Sequence, residues 1–121
     1  MRSLAWLISS VVFLGLCTSA CNGVSEIEVS SISRANVSFK ISAANGAIPC
    51  LRVAALKDQT GLEVWAIEMK HDYGICVTDF AYPNAPKGFV VAGSKGSLKP
   101  GRYLIQTISG AYWGRETFEI I

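Results

Sequence analysis

Histidine is almost missing from this 121-residue chain, methionine is scarce, and neither sign of charge is in excess. A lone His71 gives neutral-pH acid–base chemistry a single imidazole, and a metal centre a single nitrogen ligand. Met69, His71 and Asp72 lie close in sequence, but one thioether and one imidazole are too few to hold a soft metal. Neither a metal nor a cofactor is expected. Lys and Arg total 11 against 9 Asp and Glu, and Lys87, Lys95, Lys99 and Arg102 are scattered. Nucleic-acid binding needs a strongly basic face, and none is offered. There is no G-x-S-x-G elbow, so a hydrolase using His71 as base has no marked nucleophile. Glu26 and Glu28 share a strand face, whereas Glu116 and Glu119 have opposite parity and do not converge. These carboxylates read as charges that solvate strands and discourage edge pairing. The chain is not expected to be an enzyme. It also lacks repeats, low-complexity tracts, long linkers and any 11-residue window of helical periodicity.

The longest apolar run is short and stands at the start. Arg2 precedes Leu4 to Leu16, broken only by Ser9 and Ser10, and small residues Thr18, Ser19 and Ala20 follow. A membrane span wants about 20 apolar residues. The layout is that of a secretory signal peptide over residues 1–20, and it inflates the mean hydropathy of +0.35. Thr18-Ser19-Ala20-Cys21 then resembles the lipobox of bacterial lipoproteins, where the cysteine becomes the lipid-carrying first residue; Thr18 stands where that family usually has Leu. Cys17 is a rival anchor, but Leu16 is bulky for a cleavage position. Ordinary cleavage after Ala20 would leave Cys21 as a free thiol. Parity favours acylation: once Cys21 carries a palmitate-type lipid, Cys50 and Cys76 remain as an even pair, and an oxidising compartment would join them. The lipobox resemblance implies a bacterial cell-envelope protein held on a membrane and facing the periplasm or exterior. Residues 21–121 would carry 10 Lys and Arg against 9 Asp and Glu.

The rest reads as β from end to end. In residues 36–43, Val37, Phe39, Ile41 and Ala43 alternate with Asn36, Ser38, Lys40 and Ser42, as in a half-buried strand. Ile27 and Val29 alternate with Glu26 and Glu28. Further strands are expected at 51–56, 62–69, 74–80, 88–92, 102–109 and 115–121. Asn45-Gly46 is a strong hairpin signal. Asp58 to Gly61 reads as a turn, and Lys99-Pro100-Gly101-Arg102 suits a type II turn. Short strands at this spacing predict an all-β sandwich or barrel. The expected organisation is a signal peptide at 1–20, a tether at 21–25 and a sandwich at 26–121.

Residues 98–107, LKPGRYLIQT, resemble the Leu-x-Pro-Gly-x-Tyr entry to strand F of fibronectin type III and related immunoglobulin-like domains. That resemblance makes Tyr103 the tyrosine-corner residue, its hydroxyl bonding back upstream, with Pro100 and Gly101 shaping the approach. A turn and strand of another β fold is the alternative. A wider pattern covers Trp65 and Ile67; Tyr82, Pro86, Gly88 and Phe89; Leu98 to Tyr103; and Phe118 and Ile120. It is similar to a family of bacterial lipoproteins with no assigned activity. It implies an immunoglobulin-like sandwich of seven or eight strands on a lipid anchor. Cys50 and Cys76 are too close in sequence for the immunoglobulin inter-sheet bridge, so they would join neighbouring strands or a strand and a loop. Such a bridge contributes about 3 kcal/mol in the chain-entropy model.

Aromatic residues are the best functional lead. Tyr112 and Trp113 lie in SGAYWGRE, read as a loop between the last two strands, and Tyr82 and Phe89 are read as lying in a Pro-rich loop. Exposed aromatics on sandwich loops are binding anchors, although Trp113 could instead cap the core. The expected function is a lipid-anchored, non-enzymatic envelope protein with a protein or envelope-polymer partner. The alternative is an inhibitor or immunity protein that blocks a hydrolase or toxin with a loop around Tyr112–Arg115 or Ser94–Ser97.

Overall fold

A computed structural model of the chain describes residues 23–71, 74–93 and 96–121. Eight strands run through them: β1 (Gly23–Ser30), β2 (Val37–Ala43), β3 (Val53–Asp58), β4 (Glu63–Met69), β5 (Asp79–Tyr82), β6 (Phe89–Gly93), β7 (Gly101–Ser109) and β8 (Tyr112–Ile120). Their hydrogen-bonded order is β5-β2-β1-β8-β7-β3-β4-β6. The fold is an all-β, immunoglobulin-like sandwich: β1, β2 and β5 stand as strands A, B and E, and β3, β7 and β8 as C, F and G. β4 and β6 widen the second sheet.

The two sheets meet in β1. Gly23 and Val24 pair parallel with Tyr112 and Trp113 of β8, while Ser25 to Ser30 run antiparallel to Ala43 to Ser38 of β2. Residues 23–25 are therefore strand and not tether, and Ser25 is buried. Gly114 lies at the crossing. A Cβ built there would fall 2.7 Å from both the carbonyl oxygen and Oγ of Ser25, and 3.1 Å from Oγ1 of Thr107. Only glycine lets β8 come this close to β1.

Alternation fills the space between the sheets. Val37, Phe39 and Ile41 from β2 meet Ala54, Leu56, Trp65, Ile67, Ile105, Phe118 and Ile120 from the other sheet. Phe39 touches Phe118 edge-on at 5.7 Å, and Trp65 touches Tyr82 edge-on at 5.3 Å. Both pairs bridge the sheets, and such pairs contribute about 0.5–1.5 kcal/mol each beyond area burial.

The turns match the sequence unevenly. Asp58 to Gly61 closes the β3–β4 hairpin: the Gly61 N–H donates to the Asp58 carbonyl at 2.9 Å, and Gly61 sits at φ 89°. Asn45-Gly46 makes a turn, with the Gly46 N–H donating to Ala43 at 3.1 Å. It is not a hairpin, because β2 pairs with β1 and β5 and the chain leaves for the other sheet. Gly101 has φ 144°, more extended than a type II turn requires, since it already pairs with Ile120 in β7. The strand expected at 74–80 is largely irregular and its paired part is β5. Here the Leu51 and Ile41 N–H groups donate to Val77 and Thr78 at 2.8 and 2.9 Å, so the segment bridges the sheets without joining either ladder.

The Tyr103 hydroxyl donates to the Lys99 carbonyl at 2.7 Å, four residues upstream. Tyr103 is buried and its ring stacks on Phe118 at 5.9 Å. Cys50 and Cys76 form a disulfide with Cα atoms 4.6 Å apart, joining the approach to β3 to the irregular segment before β5.

Two substitutions test this account. Gly114→Ala should lower stability by about 1–3 kcal/mol in chemical denaturation, because backbone as well as side chain must give way. An unchanged midpoint would mean that the β1–β8 crossing is looser than described. Tyr103→Phe keeps the ring and deletes the hydroxyl, and should cost about 1–3 kcal/mol by leaving the Lys99 carbonyl without its donor; a change near zero would count against that bond as a stabilising feature.

Candidate functional site

The four aromatic candidates separate once the fold is known. Tyr82 is fully buried; its hydroxyl donates to the Gly96 carbonyl and its ring rests on Trp65. It holds the connection at Gly96 to the core and is not available as a binding anchor. Phe89 is half-buried and packs against the core from β6. Tyr112 is half-buried: its ring covers Gly23, whose Cβ would fall 2.1 Å from the ring carbon Cε2, and its hydroxyl accepts from Asn45 Nδ2 at 3.1 Å. Tyr112 therefore fastens the 44–50 loop to the first residues of β1.

Trp113 differs from the other three. Tyr112 and Trp113 are not in a loop but are the first residues of β8, because Ser109 pairs with Tyr112 and only Gly110 and Ala111 form the turn. Gly110 takes φ 65°, the positive value that the first central position of a tight II′ hairpin demands. In this register Trp113 points away from the core and is 44% exposed.

Its neighbours were not singled out in the sequence. Register sets Val24, Trp113, Ile108 and Val53 side by side across β1, β8, β7 and β3. Val24 is 49% and Ile108 52% exposed, and Val53 is half-buried. A signal for this row did exist. Val24 shares the solvent parity of Glu26 and Glu28, and Ile108 shares that of Arg102 and Gln106, so each is apolar in a polar phase. Shallow depressions of about 320 and 290 Å³ flank Val53 and Ala55 on the same outer face.

The opposite sheet carries a different surface. Glu28, Lys40 and Asp79 stand in one cross-strand row, acid, base, acid, over β1, β2 and β5. They floor an open trough of about 510 Å³ whose rim includes Asn84, Ala85 and Pro86. Opposite charges directly across a ladder stabilise it modestly. Nothing in the row pairs a nucleophile with a base.

Met69 is buried in β4 on the same face as Trp65 and Ile67, while His71 is exposed in the turn after it at φ 55°. Among the described residues no group of three or more His, Cys, Asp or Glu could hold a metal ion. The leader, Cys17, Cys21, Asp72, Ser94 and Lys95 lie outside the described residues. Inside the sandwich, Ser25, Thr107 and Ser109 carry buried hydroxyls, those of Ser25 and Thr107 beside Gly114.

Asp58 is the titratable group with the clearest environment. Its Oδ1 accepts from the Thr60 hydroxyl at 2.6 Å and from the Thr60 and Leu62 N–H groups at 2.9 and 3.1 Å. The Thr60 hydroxyl, with those N–H groups, holds the carboxyl below the usual carboxylate range. Burial pushes the Tyr103 phenol up, and the Asp58 charge adds to it.

No protein-family model matches this chain and no curated protein matches it. What the arrangement offers is thus read from its own geometry: a flat apolar row at one end of the second sheet, and a charged, solvated face on the first.

The Asp58 turn predicts a pH dependence of defined sign. A depressed folded-state pKa contributes stability above the unfolded value, and that stability disappears as pH falls through the folded value. Wild type should therefore lose stability on acidification below the ordinary Asp range, and Asp58→Asn should flatten that part of the curve. Parallel curves for the two proteins would show that the turn does not bind the carboxylate preferentially.

Proposed function

We propose that this chain is a lipid-anchored, non-enzymatic protein of the bacterial cell envelope. In this reading Cys21 carries the lipid and the sandwich serves as a macromolecule-binding or structural module. One observation carries it: β1 begins at Gly23, a single residue beyond Asn22 and the lipobox-like Cys21. A leader, an acylation signal and a folded domain follow one another with no spacer. The Cys50–Cys76 disulfide supports the same reading. It uses the other two cysteines of residues 21–121, leaves Cys21 alone, and suits an oxidising compartment outside the cytosol. Resemblance to bacterial lipoproteins along residues 64–120 points the same way.

The second reading, an inhibitor or immunity protein, has less support. It needs a projecting insert; of the two candidates, Tyr112 to Arg115 are paired strand, and Ser94 and Lys95 of the other lie outside the described residues.

Intact mass of the membrane-extracted protein tests the proposal. Residues 21–121 plus a diacylglyceryl and an acyl group, less the hydrogens lost to one disulfide, is the expected species. Cys21→Ser should abolish lipid labelling. An unlipidated mass would overturn the anchor, and labelling retained in that variant would move it to Cys17.

A further inference from the structure

We infer that the end of the sandwich carrying Val24 and Trp113 lies against the membrane itself, with the cross-strand apolar row dipping into the lipid head-group region. The inference rests on the anchored reading above and adds a surface to it.

The length of chain from anchor to domain makes the first case. One residue, Asn22, separates Gly23 from Cys21, so the Cys21 Cα lies within about 7 Å of the Gly23 Cα whatever path the chain takes. An acylated Cys21 thus brings the bilayer surface to the start of β1. Gly23 is hydrogen-bonded to the Ala111 carbonyl, and Val24 is paired with Trp113. The domain cannot swing far from its anchor, because the strand that leads to the lipid is already part of a sheet.

The composition of that end makes the second. Val24, Trp113 and Ile108 are 49%, 44% and 52% exposed in a continuous row. The loops at the same end expose Ile48 at 70% and Ile75 at 46%. Ile48 follows Asn45, which is bonded to Tyr112, and Ile75 precedes the Cys76 bridge to Cys50. Contiguous exposed apolar groups mark an interaction site. Tryptophan beside aliphatic residues suits a membrane–water interface, where its ring sits at head-group level. Arg52 and Lys70 are exposed at this end: the Arg52 N–H donates to Ile108, and the Met69 N–H, one residue before Lys70, donates to Arg52. Cations in that place suit anionic lipid. Glu68, paired with Val53, closes the row at its far side and marks where contact should stop.

Fluorescence quenching with the full chain decides the matter. Extracted protein is reconstituted into phosphatidylethanolamine–phosphatidylglycerol vesicles with plain or acyl-brominated lipids. Trp113→Phe, folded by circular dichroism, supplies the background of the core Trp65. The expected result is a Trp113-dependent emission that brominated lipid quenches and that is protected from aqueous acrylamide. Emission that is open to acrylamide and insensitive to bromine, from protein whose mass shows the lipid, would overturn the surface and leave the anchor standing. Protection from acrylamide without bromine quenching would also overturn it and assign the row to a second copy or another protein. A mass without lipid would overturn the anchor instead. The released protein added to the same vesicles then decides separately: bromine quenching upholds the surface and its absence removes it.

Discussion

β1 serves two sheets within eight residues, and the architecture depends on that exchange. Its first two residues lie parallel to β8 and the remainder antiparallel to β2. A strand can change partners only if the second sheet comes close at the crossing, and a side chain on β8 would prevent it. Gly114 removes that side chain, and the Tyr112 ring then closes over Gly23. The facing sheets, the buried end at Ser25 and the outer row beginning at Val24 all follow from this contact.

Above the crossing the core is conventional in chemistry and specific in geometry. The two ring pairs that span the gap, Phe39 with Phe118 and Trp65 with Tyr82, set the distance between sheets. The long connection from β6 to β7 is tied down where it meets the core. Tyr82 and Tyr103 donate to its Gly96 and Lys99 carbonyls, and Leu98 is buried with its N–H on the Arg34 carbonyl at 2.7 Å. At the other end the disulfide and Tyr112 fix the 44–50 and 74–78 segments. The loops are thereby held as platforms between stiff strands.

That rigidity gives the proposed membrane-facing end its meaning. A lipid anchor on a flexible stalk would let a domain tumble, whereas an anchor joined almost directly to β1 orients one. If Trp113 and its row meet the lipid, the opposite end faces outward, with the Asp58 turn, the 31–36 loop and the tyrosine corner. The Glu28–Lys40–Asp79 face then stands to the side, solvated and open to a partner.

Period-two alternation was legible wherever one face of a strand is apolar, so most strands and their core residues could be read directly. Val37, Phe39 and Ile41 needed no partner to declare their side, and the glycine after Asp58 declared its turn. The pairing of Cys50 with Cys76 and the tyrosine at Tyr103 were likewise legible, because cysteine parity and a short motif are local. Register was not. Whether Asn45-Gly46 joins paired strands, whether Tyr112 and Trp113 project as a loop or begin β8, and whether Tyr82 is surface or core depend on which distant strand lies alongside. Trp113 stands out by type, and Val24 and Ile108 each break a polar phase, but nothing local joins them with Val53 into one row. Hydrogen bonding between strands far apart in the chain makes them neighbours, and no short-range property of the chain encodes that adjacency.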